Sequence, residues 1–357
     1  MPLRCVVSET GESIVAFDLD KYGWQTLRAN NKAKPHLRMP CCSADVVLKT
    51  SKYGLQFFAH KAEGACKSAP ESENHLQLKR LVVEAARANG WNASPEVSGA
   101  DSEGQQWVAD VLATNGDHKV AVEIQWSPQT PEETMARHER YKRSGVRGLW
   151  LLRHPGFPVS KDLPAVCIGG SLASGFVAHV PEHQRMKAAD RDHPERWRQS
   201  MPMQQFLHAV FQRRFQHGLV EGTPMSMAVI LGKMTCWHPP CGSQTTILGG
   251  VAVRTRAETF KLSVSNFIGH ERLLREIIPG LESRADVGTI KVRWSESRRR
   301  NYLSNGCCRC DRLIGEHFEY QADDQTEFFG NLSVPLTREW ISIIETAYPD
   351  EAGWAVR

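Results

Sequence analysis

The sequence contains no uninterrupted apolar run long enough to span a membrane, and its opening, MPLRCVVSETGES, lacks the basic-then-apolar pattern of a secretory signal. The expectation is a cytoplasmic protein with no membrane partner. Internal repeats and low-complexity tracts are also lacking, which argues against a solenoid or a disordered scaffold. Charge of one sign is scarce as well. Lys and Arg total 44 against 40 Asp and Glu, a net charge of +4, too slight to mark a nucleic-acid protein by itself.

Cysteine, in contrast, is abundant and unevenly placed. Of the 10 cysteines, Cys41 and Cys42 are adjacent, and Cys236, Cys241, Cys307, Cys308 and Cys310 gather toward the C-terminus. In a reducing compartment such clustering argues for metal before disulfides. Cations are also locally concentrated, in RMKAADRDHPERWRQ (185–199), QRRF (212–215) and SRRR (297–300). Each run suits either phosphate or plain solvent.

A chain of 357 residues has room for several cores. Short runs such as SIVAFDL and DVVLKT, separated by turn residues, predict a small β-rich module over 1–68. KSAPESENHLQLKRLVVEAARANGW predicts a helix with Ser68 or Ser72 as N-cap, Pro70 near its start and Gly90 as its stop. PEVSG, QQWVADVLA and HKVAVEIQW then read as three strands, the last two joined by a turn containing Asn-Gly. PEETMARHERYKRSG reads as a second helix and RGLWLLRHP as a buried strand. The order helix, three strands, helix, strand over 69–155 packs most simply as helices on a mixed sheet. Residues 156–225 read as a connector with one helix, MQQFLHAVFQRRFQHGLV, and short strands resume over 226–357.

The hairpin carries the chemistry. Strand alternation puts Asp110 with Val108, and Glu123 with Gln125, on shared faces, and the turn brings both carboxylates toward one end of the sheet. Two carboxylates in a partly buried place repel unless a cation lies between them, and an oxygen-liganded Mg²⁺ or Mn²⁺ meets that need. Such an ion supports phosphodiester hydrolysis. Two solvent-facing acids on an amphipathic hairpin are the alternative.

The blocks ESENHLQLK, ADV, VAVEIQWS and ERYKRSGVRGLWLL occur here in an order and spacing that resemble the competence protein CoiA family within the PD-(D/E)XK nucleases. The resemblance spans roughly residues 38 to 153. It implies a restriction-endonuclease-like αβββαβ core, with Asp110 and Glu123 as metal ligands. It sets Gln125 where most of the superfamily carries Lys. It also raises Glu73, His75 and Lys79 of the first helix as catalytic candidates: Glu73 as a further ligand, His75 or Lys79 on the scissile phosphate. Arg140 and Tyr141 become candidates for the DNA backbone, as Arg298, Arg299 and Arg300 are from charge. The implied activity is a metal-dependent deoxyribonuclease acting on incoming, foreign or recombining DNA. A homo-oligomer and recombination or defence proteins are compatible partners. Loss of turnover through Gln125 would instead leave a DNA-binding scaffold.

CWHPPCG and CCRCD supply two short thiolate pairs, the donor set of a structural Zn²⁺ ribbon. Cys236, Cys241, Cys307 and Cys310 are the expected ligands of an α+β C-terminal domain, with Cys308 a bystander and His238 a competitor. GCCRCDRLIGEHF resembles the second half of a ribbon attached to some CoiA-like proteins. MPCCSADVVLKTSKYGLQFFAHK resembles the family's N-terminal block, but its cysteines are adjacent. It therefore reads as a degenerate ribbon, with Cys41, Cys42 and His60 as weak ligands.

Overall fold

The computed structural model describes residues 2–61, 71–181, 188–197, 199–255, 259–321, 327–349 and 353–357. Ser68, Pro70, the boundary at 68 and part of the 185–199 basic run lie outside them. The chain divides into two compact units, residues 1–218 with 353–357, and residues 219–352.

The first unit opens with strands β1 (Arg4–Val7) and β2 (Ser13–Val15) and continues into helix α1 (Lys21–Ala33). Strands β3 (Leu37–Arg38), β4 (Val46–Thr50) and β5 (Gln56–His60) follow. The β-rich expectation is corrected by α1. Gly23, Asn30 and Asn31 depress helix propensity there. The helix forms because Asp20 caps Gly23 N and because Trp24 and Asn31 are buried, Asn31 donating to Val46 O at 2.8 Å.

Helix α2 (Glu73–Ala88) is capped by Ser72 and stops before Gly90, whose φ is 76°. Then come β6 (Asn92–Ala100), β7 (Gln106–Asn115), β8 (His118–Gln125), helix α3 (Pro131–Arg143) and β9 (Arg147–Leu152). Thr130 and Glu133 close a capping box on α3 behind Pro131, as its sequence predicts. The order expected for this stretch is the order found.

Residues 156–225 are corrected from a connector to part of the same sheet. Strands β10 (Ala165–Ser171), β11 (Gly175–Val180) and, after the short helix α4 (Ala188–Arg191), β12 (Gln199–Pro202) extend it to seven strands ordered β12-β11-β10-β9-β8-β7-β6. GGSLASG is the hairpin turn between β10 and β11. Only β9 runs parallel to its neighbours, β8 and β10, and α3 makes the crossover from β8 to β9. The long helix expected at 203–220 ends early. Helix α5 (Met203–Phe211) stops before Arg213, with φ 62°, and Phe215–His217 becomes strand β13, paired with the returning C-terminal strand Trp354–Val356.

Leu78, Val82, Val83 and Ala86 of α2 and Phe206 and Leu207 of α5 cover one sheet face over Val111, Val122 and Ile124. On the other face Tyr141 packs with Ala109 and Ala121. Ala109 and Val111 share parity yet face opposite ways, so alternation breaks at Asp110.

In the second unit β14 (Pro224–Thr235), β15 (Gln244–Arg254) and β16 (Thr259–Leu262) are joined by β20 (Glu327–Pro335) in the order β16-β15-β14-β20. Helix α6 (Glu271–Ile277) precedes a small sheet of β17 (Lys291–Ser295), β18 (Arg300–Gly306) and β19 (Leu313–Ile314). Helices α7 (Glu316–Gln321) and α8 (Arg338–Ala347) complete the unit. Among the described residues no helix is long and apolar enough to cross a membrane.

Candidate active site and metal centres

The break at Asp110 builds the first site. The β6–β7 ladder pairs Pro95 with Val111 and Val97 with Ala109 and skips Glu96 and Asp110 between them. Glu96 has φ 55°, a conformation that costs a non-glycine residue energy. The β7–β8 ladder begins at Val111 and Val122, so Asp110 leaves that pairing too. Its Oδ2 accepts from Ile124 N at 2.9 Å instead. One residue thus stands free of both neighbouring ladders, with its carboxylate turned toward α2.

There it meets Lys79, whose side chain is 1% exposed. The ammonium lies 3.0 Å from Asp110 Oδ1, 2.6 Å from Glu71 Oε1 and 3.3 Å from Glu96 Oε1. Burial alone would lower Lys79, but Asp110, Glu96 and Glu71 outweigh it and hold the ammonium charged well above its ordinary range. Burial likewise pushes Asp110 upward, and Lys79, His75 and the Ile124 N–H together hold it below the ordinary carboxylate range. Glu96 is displaced upward, chiefly by burial. It also accepts from Leu3 N at 2.8 Å, which ties β1 to this site.

Glu71, His75 and Asp110 each present a ligand atom, all within 4.8 Å of one another. His75 and Lys79 stand four residues apart on one side of α2, and Glu71, just before the N-cap Ser72, is brought beside them by the segment entering the helix. Glu73, the acid nominated from the sequence, opens α2 but stands outside this group. Glu71 and Glu96 were missed. The four-residue spacing to His75 and Lys79 was the available signal for Glu71, whereas Glu96 had none beyond being an acid within a strand.

Glu123 lies on β8, buried to 1%, and faces α3. The Arg137 guanidinium donates to its Oε2 and the Tyr141 hydroxyl to its Oε1. Burial and the charge of Asp110 push Glu123 up to about 7, against the pull of Arg137 and Tyr141. Asp110 and Glu123 are therefore neighbours held by different helices, and Glu123 is not in the ligand group of Asp110. Gln125 follows on β8, its amide Nε2 donating to Ser127 O at 2.9 Å. Arg140 is half-buried and reaches Gln106 O at 3.4 Å. Tyr141 is corrected as a DNA-backbone contact: it is 1% exposed, with its hydroxyl spent on Glu123.

The second site is built by turns. Cys236 and Cys241 flank the β14–β15 turn, where Cys236 N donates to Ser243 O at 2.9 Å. Cys307 and Cys310 sit in the β18–β19 turn, closed by Cys307 N to Arg312 O at 2.9 Å. All four sulfurs lie within 4.8 Å of one another. The Cys236–Cys310 and Cys241–Cys307 separations of 3.6 Å are far beyond a disulfide bond. They are close to the edge of ~3.8 Å that a tetrahedron of ~2.3 Å Zn–S bonds requires. Burial opposes ionisation of Cys307, yet N–H and O–H donors around it bring it down to about 6. Ile247 and Ile314 wall the cluster. Cys308 points away, its sulfur 3.4 Å from Gln244 O, and His238 is not in the group.

A third group lies in the N-terminal block. Cys41, Cys42 and His60 also bring their ligand atoms within 4.8 Å, with Cys42 Sγ 3.2 Å from His60 Nε2. The turn closed by Ser43, with φ 57°, is what sequence adjacency did not reveal. In the SRRR run, Arg298 is bound to Glu316 at 2.6 Å, while Arg299 is exposed in the β17–β18 turn and Arg300, also exposed, opens β18 opposite Ser295.

Residues 71–160 match the family model described as Competence protein CoiA, nuclease-like domain. The match covers α2 through β9, the elements that hold Asp110, Lys79 and Glu123. This segment is CoiA-like, and a nuclease-like description is consistent with the PD-(D/E)XK superfamily. No curated protein matches the chain.

Proposed function

We propose that the chain is a metal-dependent nuclease that hydrolyses DNA phosphodiester bonds, with a restriction-endonuclease-like core in the first unit and a structural zinc centre in the second. The observation that carries this reading is the group Glu71, His75 and Asp110 gathered beside the buried Lys79. Glu71 Oε2 is buried without a hydrogen-bond partner, which is costly unless a ligand satisfies it, and His75 Nε2 lies 3.3 Å from Asp110 Oδ2 in the same group. Three carboxylates around one ammonium also leave excess negative charge. Oxygen and imidazole donors with that charge fit Mg²⁺ or Mn²⁺. Such an ion would polarise a phosphodiester oxygen and acidify a bound water.

The chain's own residues divide the remaining work. Asp110 is kept anionic by Lys79, and Lys79 supplies the fixed positive charge that Gln125 does not. Gln125, with its Nε2 donated to Ser127, keeps its carbonyl oxygen to orient a water. Glu123, held beside Asp110 by Arg137 and Tyr141, is the further acid of the site. The competence description of the matching model points to incoming, foreign or recombining DNA as substrate.

The engagement of Glu123 by Arg137 and Tyr141 favours one rival, a DNA-binding scaffold that lacks turnover. Purified protein incubated with supercoiled plasmid or single-stranded DNA decides between them. We expect cleavage with Mn²⁺ or Mg²⁺, none with EDTA, and a loss of about a thousandfold or more in Asp110→Asn. DNA binding without cleavage under any divalent ion would select the scaffold.

A further inference from the structure

Beside Glu123, on the α3 face of the sheet, lies a cavity of about 290 Å³ walled by Gln106, Trp107, Val108, Arg137, Arg140 and Tyr141. Its lining contains two guanidiniums and no carboxylate. Among the described residues Arg140 has no acidic partner, and its hydrogen bond to Gln106 O is long at 3.4 Å. Its remaining N–H donors are therefore uncommitted to protein acceptors. Arg137 is anchored at one end by Glu123 and stacks at 5.4 Å over the Trp150 ring, so its fork is held in place while the side chain keeps 32% exposure. Val108 is 53% exposed, an unusual state for a valine inside a strand, and with Trp107 it gives the cavity an apolar wall. Two arginines on one helix, one positioned by a buried acid and one without an acidic partner among the described residues, present planar guanidinium forks that suit an anion accepting in a bidentate way, such as phosphate.

We propose that this cavity binds a phosphate group of the DNA strand, held by Arg140 and by Arg137, with the Arg137 guanidinium bridging that phosphate and Glu123. The inference rests on the nuclease reading for the identity of the strand but not for the existence of the anion site. It assigns Arg137 a binding role that sequence spacing alone did not suggest. A phosphate so placed lies next to Glu123, one strand from Asp110, where it registers the strand against the reactive carboxylates without itself being cut. The phosphate has two sources, an internal phosphodiester or a terminal phosphomonoester.

Binding of a short single-stranded oligodeoxynucleotide, with and without a 5′-phosphate, is measured by fluorescence anisotropy in EDTA across a salt series, so that no turnover contributes. Arg140→Ala is expected to weaken binding about tenfold and to reduce the salt slope by about one, the signature of one lost phosphate contact. Arg137→Ala is expected to weaken it at least as much, with Arg137→Lys recovering part of the loss. A 5′-phosphate that strengthens wild-type binding, with the gain erased in Arg140→Ala, identifies a terminal phosphate. Equal weakening of both oligonucleotides identifies an internal phosphodiester. Wild-type affinity and salt slope in Arg140→Ala with either oligonucleotide overturn the proposal, and because Arg140 is half-buried with one weak hydrogen bond, loss of folding does not obscure that result. Failure of the nuclease reading is separable: it shows as no cleavage by the wild type with Mn²⁺, whatever Arg140→Ala does to binding in EDTA.

Discussion

Among the described residues, two of the clusters of metal-capable side chains are built in opposite ways. In the second unit, four cysteines sit in two tight turns, their sulfurs mutually close and walled by Ile247 and Ile314. In the first unit, Glu71, His75 and Asp110 come from the start of a helix and from a strand that has left both neighbouring ladders. Four thiolates would complete the tetrahedron of a Zn²⁺ ion and leave it no position for substrate. The acid and imidazole set offers three donors, with Lys79 among the acids and Glu123 held next to them by other partners. A closed soft-donor centre suits structure, and an incomplete hard-donor centre suits reaction. Both units have an apolar core of their own; the second adds a four-cysteine group that could hold a metal, the first a charged network beside its packed sheet.

That contrast is broken most severely at the thiolates. Cys310→Ser should release about one zinc per chain and unfold the second unit, because the affinity of a structural site is folding free energy, on the order of 10 kcal/mol. The first unit should keep its cooperative transition. Elemental analysis and two-probe denaturation check both halves, and a fully folded second unit without zinc would end the structural-metal reading.

A smaller effect is expected from the network in the first unit. Lys79→Met keeps the volume of the side chain but strands Asp110, Glu71 and Glu96 without their common counter-ion. The expected cost is about 3–5 kcal/mol, the range for breaking a buried ion pair from one side. Saturating Mn²⁺ should recover part of it in denaturant melts, since a divalent ion replaces the missing charge. Lys79→Met with wild-type stability would show that the carboxylates are already protonated or solvated.

The same contrast explains what was legible beforehand. The cysteine knuckles are local, two and four residues between ligands, and their pairing needs only that two turns meet. Helices α2 and α3 announced themselves through Ser72, Pro131, Gly90 and Gly145, because caps act within one turn of chain. Asp110, Glu123 and Lys79 stood out as polar residues in apolar or helical contexts and through family-like wording. The partners were hidden. Glu96 reaches Lys79 only because its strand takes φ 55° beside Asp110, and Arg137 and Tyr141 reach Glu123 only through the crossover of α3. Such meetings depend on sheet order, which no local spacing encodes. The strands after residue 156 were missed for a related reason: their Gly and Ser content reads as linker until a parallel neighbour, β9, supplies the pairing.

The smallest effect sharpens the comparison most, because the two centres should answer pH with opposite signs. Glu123 is pushed up to about 7 by burial and by Asp110, above its ordinary value of 4.5. Between those values the folded protein holds a proton that the unfolded chain has released, so the contribution is fully present below about 4.5 and is lost as pH rises through 7. Asp110 acts in the other direction but titrates below this window. The thiolate centre behaves oppositely, since protonation of cysteines on acidification releases metal. The Glu123 contribution to the first unit should therefore fall from pH 4.5 to 7 in buffer without Mg²⁺ or Mn²⁺, while the zinc-loaded second unit gains stability over the same range. Glu123→Gln should flatten only the first of these slopes. In the first unit Glu96, also displaced upward by burial, contributes a slope of the same sign, and His138, His179 and His217, displaced downward by burial, contribute the opposite one; the difference between wild type and Glu123→Gln removes them all. Parallel pH slopes for wild type and Glu123→Gln in the first-unit transition would mean that Glu123 is ionised across this window, with Arg137 alone as its counter-ion.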